Sequence, residues 1–141
     1  MCIRNLLKTI VLSLFFICNS SFTDENPATL VVELKNFHAN LGGTIYLMLV
    51  DKNDQPVAKL TQAAKGKNFV FPFKNLPAGE YAVRVYHDEN NNGQLDKGVF
   101  GQPTEGWGVS NDARGFMSAP PFKKMLVKLN QPARINIKIS Y

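Results

Sequence analysis

Short runs in which apolar and polar residues alternate dominate this chain. Leu30, Val32 and Leu34 interleave with Val31, Glu33 and Lys35, and a period of two predicts a strand with one buried face. Ile45 to Val50 is apolar on both faces, which predicts a central strand. Asp51 to Pro56 breaks it, and His38 to Gly43 reads as the preceding turn. Val57 to Leu60 predicts a short strand, and Ala63 to Lys67 leaves room for a helical turn. Asn68 to Phe73 is strand-like, but Pro72 lacks the N–H a ladder needs, so it belongs at an edge or bulge. Leu76-Pro77-Ala78-Gly79 suits a type I turn.

Glu80 to His87 is the clearest strand, with Tyr81, Val83, Val85 and His87 on one face and Ala82, Arg84 and Tyr86 on the other. Gly98 to Pro121 shows little periodicity and frequent glycine, which predicts one long irregular loop; Phe100, Trp107 and Phe116 argue that it is ordered. Met125, Val127 and Leu129 predict a further strand. Ile135, Ile137, Ile139 and Tyr141 predict the last, after a turn at Asn130-Gln131-Pro132. About seven short strands without a long helix make the expected class all-β, an antiparallel β-sandwich.

The first residues follow a different pattern. Arg4 and Lys8 precede an apolar run from Thr9 to Cys18, and Asn19-Ser20-Ser21 is small and polar. That order is a secretory signal peptide's, with too short an apolar run to span a bilayer comfortably. The expected layout is a signal peptide at 1–21, a linker at 22–28 and one domain at 29–141, exported to the periplasm or beyond the cell. Ile17 before Cys18 is too large for lipid attachment. Both cysteines, Cys2 and Cys18, leave with the signal, so the mature domain carries no disulfide. The formal charge of +5 falls to about +3 without Arg4 and Lys8. Basic residues are scattered, which excludes nucleic acid as the expected partner. No second long apolar run follows, so the mature chain is not expected to span a membrane. An envelope protein or a glycan is the partner class left open.

Chemistry concentrates at His87-Asp88-Glu89-Asn90-Asn91-Asn92-Gly93-Gln94-Leu95-Asp96. Asp88, Asn90 and Asn92 alternate, Gly93 permits a sharp turn, and Asp96 follows. Hard oxygens at that spacing suit a calcium loop. Gln94 offers its carbonyl, and Glu105 or Asp112 a distant carboxylate. The twelfth position of an EF-hand loop should be glutamate but is Val99, and no helix flanks the run, so an EF-hand is excluded. With two asparagines the expected affinity is weak, roughly 10⁻⁴–10⁻³ M. The competing reading is a hairpin turn whose Asp and Asn side chains cap their own backbone.

His87 and His38 are the only histidines, too few for a zinc site without cysteine. Gly108-Val109-Ser110-Asn111-Asp112 lacks the final glycine of a nucleophile elbow. A hydrolase using His87, Glu105 and Ser110 is nonetheless the alternative to a non-catalytic binding or structural module. Glu89 and Glu105 could pair for glycoside chemistry. Trp107, with Tyr86 and Phe100, could instead bind a carbohydrate or peptide, or simply pin the loop to the sandwich.

Phe73-Lys74-Asn75-Leu76-Pro77-Ala78-Gly79-Glu80-Tyr81 resembles the turn-and-strand signature of prealbumin-like and carboxypeptidase-regulatory-like sandwiches. His87 to Gly93, Phe100 to Asn111, and Pro120-Pro121-Phe122 together resemble the secreted bacterial family called domain of unknown function 2141, from about Leu30 to Tyr141. The resemblance implies export and an immunoglobulin-like or prealbumin-like sandwich, and it brings no activity with it.

Overall fold

The computed structural model describes residues 27–116 and 118–141. The expected signal segment lies outside them, as does most of the linker. Eight strands form two sheets. They are β1 (Ala28–Lys35), β2 (Thr44–Asp51), β3 (Pro56–Ala63), β4 (Val70–Leu76), β5 (Gly79–Asp88), β6 (Gly106–Val109), β7 (Val127–Leu129) and β8 (Ala133–Lys138). The smaller sheet has the order β4-β1-β8; the larger runs β3-β2-β5-β6, with β7 also on β5. All pairs are antiparallel except β1 with β8.

The alternation does what its period requires. Leu30, Val32 and Leu34 of β1 face Ile45, Leu47 and Leu49 of β2 and Val83 and Val85 of β5 in one buried core. Each such side chain contributes roughly 1.5–3 kcal/mol through burial. Pro72 sits on β4, an edge strand, where its missing N–H faces no partner strand. β2 lies between β3 and β5, as its two apolar faces predict. Its outer-facing Val50 joins a second, smaller cluster with Ala82, Val109, Ala113 and Met125.

Three expectations change. The strand expected at Val57–Leu60 extends over all of β3, so Ala63 is extended and not helical. Met125 ends a one-turn helix, α1 (Phe122–Met125), which follows Pro120-Pro121 and lays Met125 on the second cluster. The stretch from Gly98 to Pro121 contains β6. Its inner face is Gly106 and Gly108, because β6 runs hard against the end of the other sheet. A Cβ on Gly108 would lie 2.7 Å from Ile137 Cγ2, and one on Gly106 2.5 Å from Tyr141 Cε1. Trp107 N–H donates to Ser140 O (2.9 Å) and Ser140 N–H to Trp107 O (2.8 Å), so β6 joins the two sheets along this side.

Candidate functional site

β5 ends at Asp88 and releases the chain into the Asp/Asn loop. Gly43 on the neighbouring turn has no room for a side chain, since a Cβ there would overlap the carbonyl of Asp88. Asp88 is fully buried. Its Oδ1 accepts the N–H of Asn92 (3.0 Å) and its Oδ2 that of Gly93 (2.8 Å). Asn90 Oδ1 accepts from Asn92 N–H (3.0 Å), and Asn92 Oδ1 from Gln94 N–H (2.9 Å). The amide groups of Asn90 and Asn92 donate to the two oxygens of Asp96, at 2.7 and 2.8 Å. Asn91 and Gly93 take positive φ, which lets the chain curl around these side chains.

Glu105 reaches the loop from its backbone side. It is 5% exposed, and its two oxygens accept the N–H groups of Glu89 and Asp96, both at 2.9 Å. One carboxylate thereby clasps the two ends of the loop. Glu89 is turned to the main chain too, accepting from Gly106 N–H at 3.2 Å. Asp112, the other distant carboxylate considered, accepts from Lys138 N–H (2.7 Å) and serves β8 instead. Among the described residues no three histidine, cysteine, aspartate or glutamate side chains group as a metal site. The asparagines instead hold the loop together by donating their amide groups to Asp96.

The hydrolase constellation does not assemble. His87 is fully buried on the inner face, its ring tilted 40° against that of Phe37 at 4.5 Å between centroids. The Gly42 carbonyl can only accept, so Nε2 carries a proton toward it, and Nδ1 lies 3.0 Å from the Tyr141 hydroxyl. Tyr141 oxygen in turn accepts from His38 N–H (3.0 Å). Ser110 sits beside Val83, four residues back along β5, which is about 13 Å of strand. Its hydroxyl accepts Val83 N–H (3.0 Å) and donates to the Met125 carbonyl. It fills the gap in the β5 ladder where β6 ends and β7 has not begun. Each of the three side chains is committed to backbone or core.

What the sequence reading did not foresee is a groove of about 1080 Å³ on the outer face of the larger sheet. Its floor contains three aromatic residues in direct register: Tyr46 on β2 opposite Tyr86 on β5, and Tyr86 opposite Trp107 on β6. The two tyrosine rings stack at 4.8 Å with planes 10° apart. Lys59 Nζ caps the Tyr46 ring at 4.9 Å, and Arg114 lies 4.8 Å from the Trp107 ring centroid. The tyrosine rings therefore stand on edge, face to face across strands, and do not offer flat faces for a sugar to stack on. One wall is a small hairpin closed by Gly98 N–H to Gln102 O and carrying Phe100 at its tip; the other is made by Gly115, Ser118, Ala119, Pro120 and Phe122. Tyr86 hydroxyl donates to Gly93 O (3.2 Å), tying the Asp/Asn loop to the groove. Partial burial, then the nearby Tyr46, Asp88 and Glu105, raise the Tyr86 phenol above its ordinary value.

No curated protein and no solved structure matches this chain. A family profile does, over residues 32–137, and its description is an uncharacterised protein conserved in bacteria, domain of unknown function 2141. That span takes in both sheets, the Asp/Asn loop and the groove floor, and the chain belongs to this bacterial family.

Proposed function

We propose that the protein is an exported, non-catalytic binding module whose ligand lies in the groove over Tyr46, Tyr86 and Trp107, with the Asp88–Asp96 loop as a weak calcium-stabilised support at its end. The groove carries this reading. Its volume is that of a small-molecule site, and its lining is apolar with a few polar groups, the usual composition of one. Export rests on the charge-then-apolar order from Arg4 to Cys18.

The calcium part rests on spacing and convergence. A half-turn of the Asn90 and Asn92 amides exchanges nitrogen for oxygen. It gives up the two bonds to Asp96 and the two that the Asn90 and Asn92 oxygens accept from the N–H groups of Asn92 and Gln94, and it turns the side-chain oxygens of Asn90, Asn92 and Asp96 toward one region, beside Asp88. A hard cation there replaces what the amides donated. Glu105 stays on the backbone as the clasp.

Two measurements test the proposal. Nile red, a neutral apolar probe, should bind the mature protein at one saturable site and quench Trp107, the chain's only tryptophan. Met48→Glu, on a groove-lining side chain 37% exposed, should abolish this without unfolding the domain. Absence of a saturable site, or binding indifferent to Met48→Glu, overturns the groove reading. For the loop, about 10 mM calcium against a millimolar site should stabilise the fold by roughly 1.4 kcal/mol. Magnesium should do less, since it holds its waters, and Asp88→Ala should erase the response. Identical melts in chelator and calcium leave only the self-capped turn.

A further inference from the structure

The side chains that line the groove are unbalanced in charge. Lys59, Arg84 and Lys97 are among them, and no aspartate or glutamate is. Arg84 is neutralised by Asp54 at 2.8 Å and lies over Phe122 at 5.6 Å. Lys59 and Lys97 form no ion pair among the described residues. The acidic loop adjoins the middle of the floor, where the Tyr86 hydroxyl bonds Gly93. The groove is thus apolar along its floor and cationic at Lys59 on the edge strand β3, next to Tyr46. Phe100, which lines the groove, is more than nine-tenths exposed, as are its neighbour Val99 and Phe116, the residue after the lining Gly115.

Building on the groove reading above, we propose that the occupant is a single-chain anionic amphiphile of the fatty-acid type. Its alkyl chain lies along the Tyr46–Tyr86–Trp107 row and its carboxylate beside Lys59. The edge-on tyrosines suit this occupant, because an alkyl chain packs against ring edges as well as faces, whereas a sugar needs an open face. The charge pattern selects the sign. A carboxylate gains an unpaired ammonium at Lys59, and a cationic head meets only like charge there. Lys59 fixes the direction, since it stands at the Tyr46 end of the row and Trp107 lies at the other.

The test compares three molecules with the same twelve-carbon tail (dodecanoate, dodecyl maltoside and dodecyltrimethylammonium), each below its micelle concentration. The mature protein is used, and Trp107 emission is the readout. Dodecanoate should shift the emission to the blue and bind at least tenfold more tightly than the cationic amphiphile. Lys59→Glu should weaken dodecanoate about tenfold and leave dodecyl maltoside unchanged. Lys59→Gln should fall between. Equal binding of all three, or a preference for the cation, overturns the inference while Nile red binding keeps the groove reading intact. Failure of all three together with Nile red overturns both. Dodecanoate binding that survives Met48→Glu at full strength places the anion elsewhere and also overturns the proposal.

Discussion

Replacing Glu105 by glutamine separates two roles for one buried carboxylate. As a clasp, Glu105 holds the N–H of Glu89 on one oxygen and the N–H of Asp96 on the other. The amide keeps one acceptor and turns an NH₂ against the second N–H, so one charge-assisted bond is lost and a partly buried donor is left without a partner. That step costs about 1–3 kcal/mol, and the surviving bond weakens because its acceptor is no longer charged. The combined loss is about 2–4 kcal/mol. A domain of about 110 residues unfolds with an entropy near 0.23 kcal/mol/K, so the melting temperature should fall by about 9–17 °C. The assay is a thermal melt of Glu105→Gln in chelator, where no cation contributes. Amide exchange at Glu89 and Asp96 should speed up with it. A fall under about 2 °C in chelator, with the calcium response abolished, would refute the clasp and make Glu105 a cation ligand instead.

Further expectations concern the core, alkaline stability and export. Val85 is 3% exposed on the inner face of β5; Val85→Asp buries an unpaired charge and should remove roughly 4 kcal/mol or more, so a melt near that of the parent protein contradicts the assignment of faces. Burial pushes the phenol of Tyr141 above 10.0, and that of Tyr86 likewise. A raised folded value keeps its stabilisation below the unfolded one, about pH 10, and loses it as pH climbs through the folded value. Tyr86→Phe with Tyr141→Phe should flatten that alkaline loss in denaturant titrations at rising pH, although Tyr141→Phe alone lowers stability at neutral pH by about 1–3 kcal/mol because buried His87 Nδ1 loses its partner. Mass spectrometry of exported material should find about twenty residues removed, and an intact Met1 contradicts this.

The strands with alternating large residues were legible because a period of two survives in one dimension. β6 was not. Its inward positions are Gly106 and Gly108, which carry no hydrophobic signal, and the reason for them is Ile137, Ile139 and Tyr141 arriving from the other sheet. Ser110 was visible as a hydroxyl in a suggestive motif. Its partners, Val83 and Met125, lie 27 and 15 residues away, and only the fold reveals that it completes a ladder. The Asp/Asn loop was legible as a turn whose side chains cap their own backbone, because its spacing is local. The groove was not, since Tyr46, Tyr86 and Trp107 become neighbours only through the register of three strands.

The parallel pairing of β1 with β8 has a kinetic side. β1 is the middle strand of its sheet, so its second edge stays open until the last strand arrives. Asn36 Nδ2 bonds Ile139 O across 103 residues, and Ile137 and Ile139 supply part of the core. A chain emerging from its amino end cannot complete this sheet until nearly all of it has appeared. Contacts at such separation make folding slow, on the millisecond-to-second scale. During synthesis the early strands thus remain unlocked, and they close into the sandwich only once β8 has emerged.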